Sequence, residues 1–130
     1  MDKKELIEKE ILGFHEKIEN WFTGNTNDKE TLQSDMLRNF HPHFQMRGSR
    51  GNEFNYEAFA NWLPGAFGRF SKIEIKVSEI KIQLSDQHAL AEYVETQNAD
   101  GEINIRKASA VFLLNLDGTV SWYHLLEEWI

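Results

Sequence analysis

The sequence predicts an α+β fold in which helices gather on one face of a mainly antiparallel sheet. In the first half of the chain, apolar residues recur at the three- and four-residue spacing of amphipathic helices. After Phe70 the pattern changes to the alternation that is typical of strands. Near the end, Asp117-Gly118 separates two long apolar runs and indicates a β-hairpin, because glycine accepts the positive φ of a tight turn. Helices followed by a run of antiparallel strands are typical of the α+β class.

Three helices are predicted. The first covers residues 3–23, where apolar side chains form one stripe among charged residues. The second covers about 28–39 and ends before Pro42, because proline disfavours helical geometry in the residue before it. The third covers about 55–70, and Pro64 near its middle predicts a kink or a break into two short helices.

The second half of the chain predicts a meander of long strands. Between Ile73 and Leu84 the apolar residues change parity near Ser78-Glu79, so we expect a bulge that restores one inner face and bends the strand. The predicted strands are 43–47, 73–84, 88–97, 103–116 and 119–130.

Length and composition exclude several classes of protein. A chain of 130 residues is long enough for one core, so we expect one domain over residues 1–130. With Cys 0, thiol catalysis and thiolate metal sites are excluded. Net charge is -7 and the basic residues are scattered, which argues against nucleic acid as a partner. No apolar run approaches the ~20 residues of a membrane helix and no secretory signal is evident, so we expect a cytoplasmic protein without a membrane partner.

The aromatic content is high, with Phe 9, Trp 4 and Tyr 3. An aromatic core and an aromatic ligand pocket both explain it, and the two are compatible. The strand 103–116 is apolar on both parities, so one face can cover the helices while the other would leave an apolar patch in water. We therefore expect a homodimer through this second face.

Three segments carry a resemblance to a known family: Phe40-His41-Pro42-His43-Phe44 after the second helix, the run AVFLLNLDG, and the closing SWYHLLEEWI. With the order of elements, they resemble the nuclear transport factor 2-like superfamily, in particular its SnoaL-like and ketosteroid isomerase-like members. The resemblance implies three N-terminal helices packed on a strongly bent sheet, a cystatin-like cone with an open pocket. It also implies, for many members, a homodimer through the convex sheet face.

The catalytic positions of the ketosteroid isomerases are not matched. That family places a general-base carboxylate in the short strand, where this chain has Gln45, Met46 and Arg47, and a tyrosine in the first helix, where residues 3–23 contain none. Steroid isomerase activity is therefore not expected. The cyclases and dehydratases of the superfamily use His/Asp pairs, and no fixed pattern here matches them.

His124 is the first candidate catalytic residue, because a histidine in the apolar last strand titrates near neutrality and can act as general acid or base. It is expected on the parity of Trp122, with Glu128 on the same parity. Either Glu92 or Glu95, near the neighbouring strand, is a possible partner, and the sequence leaves open which of the two shares its face. The alternative is a structural imidazole.

Arg106 is the second candidate, since the alanines that follow on its parity leave space above the sheet where it can bind a carboxylate or enolate oxygen. Its alternative is a solvated cation.

Further residues are expected to line the pocket or to fill the core. Tyr93 lines the pocket or packs on the dimer face, and His15 borders the apolar stripe of the first helix. The side chains expected in the core first and in the pocket wall second are Trp21, Phe40 and Trp62.

Neither a metal nor a cofactor is expected. His41 and His43 are close together, but no third ligand is spaced nearby. The first functional hypothesis is therefore a cofactor-free isomerase, cyclase or dehydratase that acts by acid/base chemistry on a small apolar or aromatic metabolite. The second hypothesis is a non-catalytic module that binds a ligand or dimerises.

Overall fold

The computed structural model describes residues 2–130, and it contains three helices and six strands in those residues. The α+β class is confirmed, as is the predicted order of two helices, a short strand, a third helix and then four long strands, although a further short strand precedes the third helix. The elements are α1 (Lys3–Thr23), α2 (Lys29–Leu37), β1 (Phe40–Arg47), β2 (Glu53–Asn55), α3 (Tyr56–Ala66), β3 (Ile73–Leu84), β4 (His88–Ala99), β5 (Glu102–Leu114) and β6 (Val120–Trp129).

The strands form one mixed sheet in the order β2-β1-β6-β5-β4-β3. Neighbouring strands are antiparallel except β1 and β6, which run parallel. The sheet is open, with β2 and β3 at its two edges. The short strand β2, which the sequence did not predict, pairs with β1 and leads directly into α3.

The helices pack on one face of the sheet, and α1 provides most of the contact. Its apolar stripe is buried, with Ile7 and Ile11 fully enclosed between the helix and the sheet. Trp21 donates from Nε1 to the carbonyl of Leu63 at 2.8 Å and so ties α1 to α3. The helix ends at Gly24, whose φ of 72° is in the left-handed region that favours glycine. None of the helices in the described residues combines the length and the apolar character of a membrane span.

The predicted break at Pro64 into two short helices is wrong, and so is the extension of the third helix to residue 70. Helix α3 continues through Pro64 and ends at Ala66, and no second helix follows before β3. Proline removes one backbone donor and crowds the preceding turn, and Gly65 is a poor helix former. Together they end the helix within its last turn.

Two β-bulges set which side chains face the helices. In β3 the register shifts between Ser78 and Lys81, so the bulge predicted there is confirmed. In β6 the register shifts so that Val111 pairs with His124 while Phe112 pairs with Trp122, which leaves Tyr123 as the extra residue. The hairpin between β5 and β6 is also confirmed, with Gly118 at φ 87°.

Candidate functional site

A cavity lies between the inner face of the sheet and the helices. Its inner chamber is about 150 Å³, and it opens into an outer chamber of about 460 Å³ near the loop that joins β1 and β2. The residues that line both chambers are Met46, Phe59, Trp62, Gln97, Arg106 and Glu127. The two chambers are therefore parts of one funnel.

The wall of the inner chamber is aromatic because α1, β1, α3 and β6 all direct rings into it. Phe40 stacks on Trp122 with 5.5 Å between ring centroids and 8° between planes. Trp62 lies over Phe59 and is 48% exposed at the junction of the chambers. The rings that line the inner chamber are Phe14, Phe22, Phe40, Phe44, Phe59, Trp62 and Trp122.

A hydrogen-bonded array lies on the polar side of the inner chamber. His15 donates from Nδ1 to the carbonyl of Ile11 at 2.7 Å, and its Nε2 lies 3.1 Å from Oε1 of Glu95. The other carboxylate oxygen of Glu95 accepts from Nε2 of Gln97 at 2.6 Å. Both oxygens of Glu95 and both ring nitrogens of His15 are therefore engaged.

The array carries an ion pair. Burial alone disfavours the imidazolium, but the hydrogen bond and the charge of Glu95 outweigh it and raise the pKa of His15. Burial alone also disfavours the carboxylate, and the His15 contact lowers the pKa of Glu95 in spite of it. The two directions agree with a charged imidazolium on a charged carboxylate.

Glu127 is the second buried carboxyl group of the cavity and is only 7% exposed. Its Oε1 lies 3.4 Å from Nη1 of Arg106, which is a long contact for a charged pair. Burial, with the nearby charge of Glu95, raises the pKa of Glu127 to about 7. Near neutral pH the protonated and the ionised forms of this group are therefore both populated.

Arg106 lines both chambers beside Glu127. Its Nη2 donates to Oδ1 of Asn104 at 2.8 Å, and its guanidinium lies 4.6 Å from the ring centroid of Trp129. Within residues 2–130 its buried Nε has no hydrogen-bond partner, and neither has the hydroxyl of Tyr93. Tyr93 is fully buried with its ring edge-on to His15, and burial raises the pKa of its hydroxyl well above the ordinary value.

His124, Glu92 and Glu128 lie on the outer face of the sheet and do not line this cavity. His124 lies on the outer face because Tyr123 is the extra residue of the β6 bulge. The bulge places Trp122 and Leu125 on the inner face and His124 on the outer one. Glu92 contacts Lys107 at 3.6 Å on the same outer face. The expectation that His124 shares the parity of Trp122 is corrected here.

Four predicted residues, Arg106, His15, Phe40 and Trp62, do line the cavity. Trp21 is core, and Tyr93 lies buried beneath His15 without lining either chamber.

Sequence reasoning left Glu95 undecided and missed Gln97 and Glu127. One signal was present for Glu127: it belongs to an acidic pair, Glu127-Glu128, that is flanked by apolar residues near the end of the last strand.

In the part of the chain that the structure describes, no group of three His, Cys, Asp or Glu side chains is placed to hold a metal ion. His41 and His43 lie with their ring centroids 5.4 Å apart at the start of β1.

The sequence matches no protein-family model and has no significant match among curated proteins. Solved structures do match it. An NTF-2 like protein of unknown function from Pseudomonas aeruginosa is 20% identical with a TM-score of 0.89, over 96% of this chain and 98% of that chain. An NTF2-like protein with a cystatin-like fold from Novosphingobium aromaticivorans is 10% identical with a TM-score of 0.75, over 98% and 81% of the two chains.

A protein of unknown function with a cystatin-like fold from Nostoc punctiforme is 15% identical with a TM-score of 0.72, over 98% of this chain and 90% of that chain. These matches extend over nearly the whole chain, and at such identities a likeness concerns the fold. The chain therefore has the nuclear transport factor 2-like fold, also described as cystatin-like.

Proposed function

We propose that the protein binds a small apolar or aromatic molecule in the cavity and catalyses a cofactor-free proton transfer on it. The reaction is of the isomerase, cyclase or dehydratase kind. Glu127 takes or gives the proton, and Arg106 stabilises the negative charge that develops on a substrate oxygen. A small apolar or aromatic metabolite is the substrate class that suits the ring-lined wall.

Glu127 carries this proposal. General acid/base catalysis is most effective when the pKa of the catalytic group lies near the working pH, and the pKa of Glu127 is about 7. Its side chain lines both chambers, so a bound molecule can reach it. Perturbed carboxyl groups in cavities are typical of functional sites.

His15 and Glu95 support Glu127 without contacting the substrate. Their polar atoms are already occupied by Ile11, Gln97 and each other. The charge of Glu95 helps to raise the pKa of Glu127, and the charge of His15 partly offsets it. We therefore assign the pair a positioning role.

Hydrogen–deuterium exchange tests the proposal. A panel of aromatic ketones that includes 2-tetralone is incubated with the protein in deuterated buffer, and exchange next to the carbonyl is followed by NMR. We expect acceleration over buffer that falls about 100-fold or more in Glu127→Gln. Glu128→Gln, on the outer face, is the matched control and retains the wild-type rate. Equal exchange in Glu127→Gln and in the wild type contradicts the assignment.

A second function, dimerisation, has separate support. On the outer face of β5, Ile103 is 63% exposed and Ile105 is 40% exposed. Leu90 of β4 and Tyr123 of β6 are also exposed large side chains. Large apolar side chains exposed at both ends of this face favour contact with a second copy of the chain. We propose a homodimer through this face, whether the cavity is catalytic or only binds a ligand.

A further inference from the structure

We infer that the molecule bound in this cavity is the monoanion of an apolar or aromatic acid, with its carboxylate on Arg106 and its apolar part among the rings. This inference rests on the proposed function and names the substrate class of the same site. Three observations carry it: the unused donors of Arg106, the sign of the charges around the outer chamber, and the position of Arg106 between the chambers.

The guanidinium of Arg106 has more donors than acceptors around it. A guanidinium presents a planar fork of N–H groups that matches the two oxygens of a carboxylate. Among the described residues only Asn104 and Glu127 accept from it, and the Glu127 contact is long at 3.4 Å. The Nε group is buried within residues 2–130 and is not a donor that a ligand can reach. Each Nη group has two N–H donors and uses one, so a ligand carboxylate would accept from the two that remain.

The charge around the outer chamber is opposite to that of the whole chain. The protein has a net charge of -7, yet Arg50 and Arg106 line this chamber against a single carboxyl group, Glu127. Below the raised pKa of His15, its positive charge and the negative charge of Glu95 cancel in the inner chamber. An anion that enters the funnel therefore meets a local excess of positive charge.

The position of Arg106 fits an amphiphilic acid better than a fully polar one. Arg106 lies where the chambers meet, with Trp129 against its guanidinium and the aromatic wall further inside. Burying an apolar group of a ligand against that wall is favourable, while the carboxylate keeps a charged partner. An aryl or alkyl acid satisfies both parts of the cavity at once.

Glu127 couples this binding to protons. The charged or titratable groups around it are Glu95 and Tyr93 from β4, Arg106 from β5 and His15 from α1. A ligand carboxylate on Arg106 competes with ionised Glu127 for the same donors and repels its charge. Binding therefore favours protonated Glu127 and takes up protons from the buffer near neutral pH.

Calorimetric titration of the full chain tests the inference with two probes of matched shape, 4-phenylbutanoate and 4-phenylbutanamide. At pH 6 we expect the anion to bind tighter than the amide by about tenfold or more. Arg106→Gln should remove this preference, Arg106→Lys should keep part of it, and Arg69→Gln is the control with an exposed arginine elsewhere. In two buffers of different ionisation enthalpy at pH 7, binding of the anion should show proton uptake that Glu127→Gln abolishes.

Equal affinity for the anion and the amide in the wild type overturns the inference. Failure of the wild type to bind either probe overturns it as well. If Arg106→Gln does not fold, the Arg106→Lys comparison and the proton uptake decide. These results leave the proposed function separately testable, because it fails only if Glu127→Gln exchanges ketone protons as fast as the wild type.

Discussion

His15 and Glu95 form a buried ion pair that joins the first helix to the middle of the sheet. The Nε2 atom of His15 lies 3.1 Å from Oε1 of Glu95, and the two residues are 80 positions apart in the sequence. Both side chains are less than a tenth exposed. The pair sits beside Glu127, and its two charges act on the pKa of that group in opposite directions.

Removal of one member of this pair should be costly. His15→Leu leaves the charge of Glu95 buried without its main partner, and we expect a loss of about 3–5 kcal/mol in the free energy of unfolding. The double variant His15→Leu/Glu95→Leu should be more stable than His15→Leu alone. Urea unfolding at pH 5.5 of the wild type, the two single variants and the double variant measures the coupling energy between His15 and Glu95.

The pH of 5.5 is chosen because the pKa of His15 is raised and that of Glu95 is lowered, so that both groups are charged there. The raised pKa of His15 gives stability that is present below the unfolded value of 6.5 and is lost as pH rises through the folded value. The lowered pKa of Glu95 gives stability that is present above 4.5 and is lost as pH falls through the folded value. The exposed pair Glu92–Lys107 is the matched control, with coupling below about 1 kcal/mol. Additive effects of the two buried substitutions would refute the ion pair.

Glu127 should make the folded state less stable at high pH. Its pKa is about 7 in the folded state and 4.5 in the unfolded chain. The stability that this difference contributes is therefore present below pH 4.5 and is lost as pH rises through 7. The expected loss is about 3 kcal/mol, at about 1.4 kcal/mol for each pKa unit. Glu127→Gln should therefore be more stable than the wild type at pH 8, and this gain should shrink at pH 5.

Urea unfolding at both pH values checks this prediction, with Glu128→Gln as the exposed neighbour that should not change the pH dependence. Parallel stability curves for Glu127→Gln and the wild type would show that Glu127 titrates normally. A group that lowers stability in its charged form is typical of sites kept for function.

The outer face of the sheet should hold two copies of the chain together. We expect a mass by light scattering of about twice 15.2 kDa at micromolar concentration, because Ile103 and Ile105 leave an apolar patch in water. Ile105→Lys should shift the mass towards 15.2 kDa. Leu12→Lys, at an exposed site on α1, should leave it unchanged. A wild-type mass of 15.2 kDa would rule out this dimer.

Most of the fold could be predicted because its signals are local. The stripe of α1 and the hairpin at Asp117-Gly118 each lie within a short window of sequence. The bulge of β3 was visible because polar and apolar residues alternate on both sides of Ser78. The bulge of β6 was not, because nearly every residue around Tyr123 is apolar or amphipathic and a change of parity leaves no trace.

The site could be predicted only in part, because strand register assembles it. Arg106 and His15 were found from local parity and from the border of a helix stripe. Glu127 reaches the cavity only because β5 and β6 pair Ala108 with it, and Glu95 faces Arg106 only through the β4–β5 register. Without a motif, a single sequence does not specify which carboxyl groups meet across three strands.

Titration of Glu127 by NMR tests the central claim most directly. Side-chain carboxyl carbons are labelled with ¹³C in all glutamates, and the Glu127 signal is assigned by its loss in Glu127→Gln. We predict that this carboxyl group titrates at about 7, because it is buried beside the charge of Glu95. A titration near the ordinary value of 4.5 would contradict the assignment of Glu127 as the group that transfers the proton.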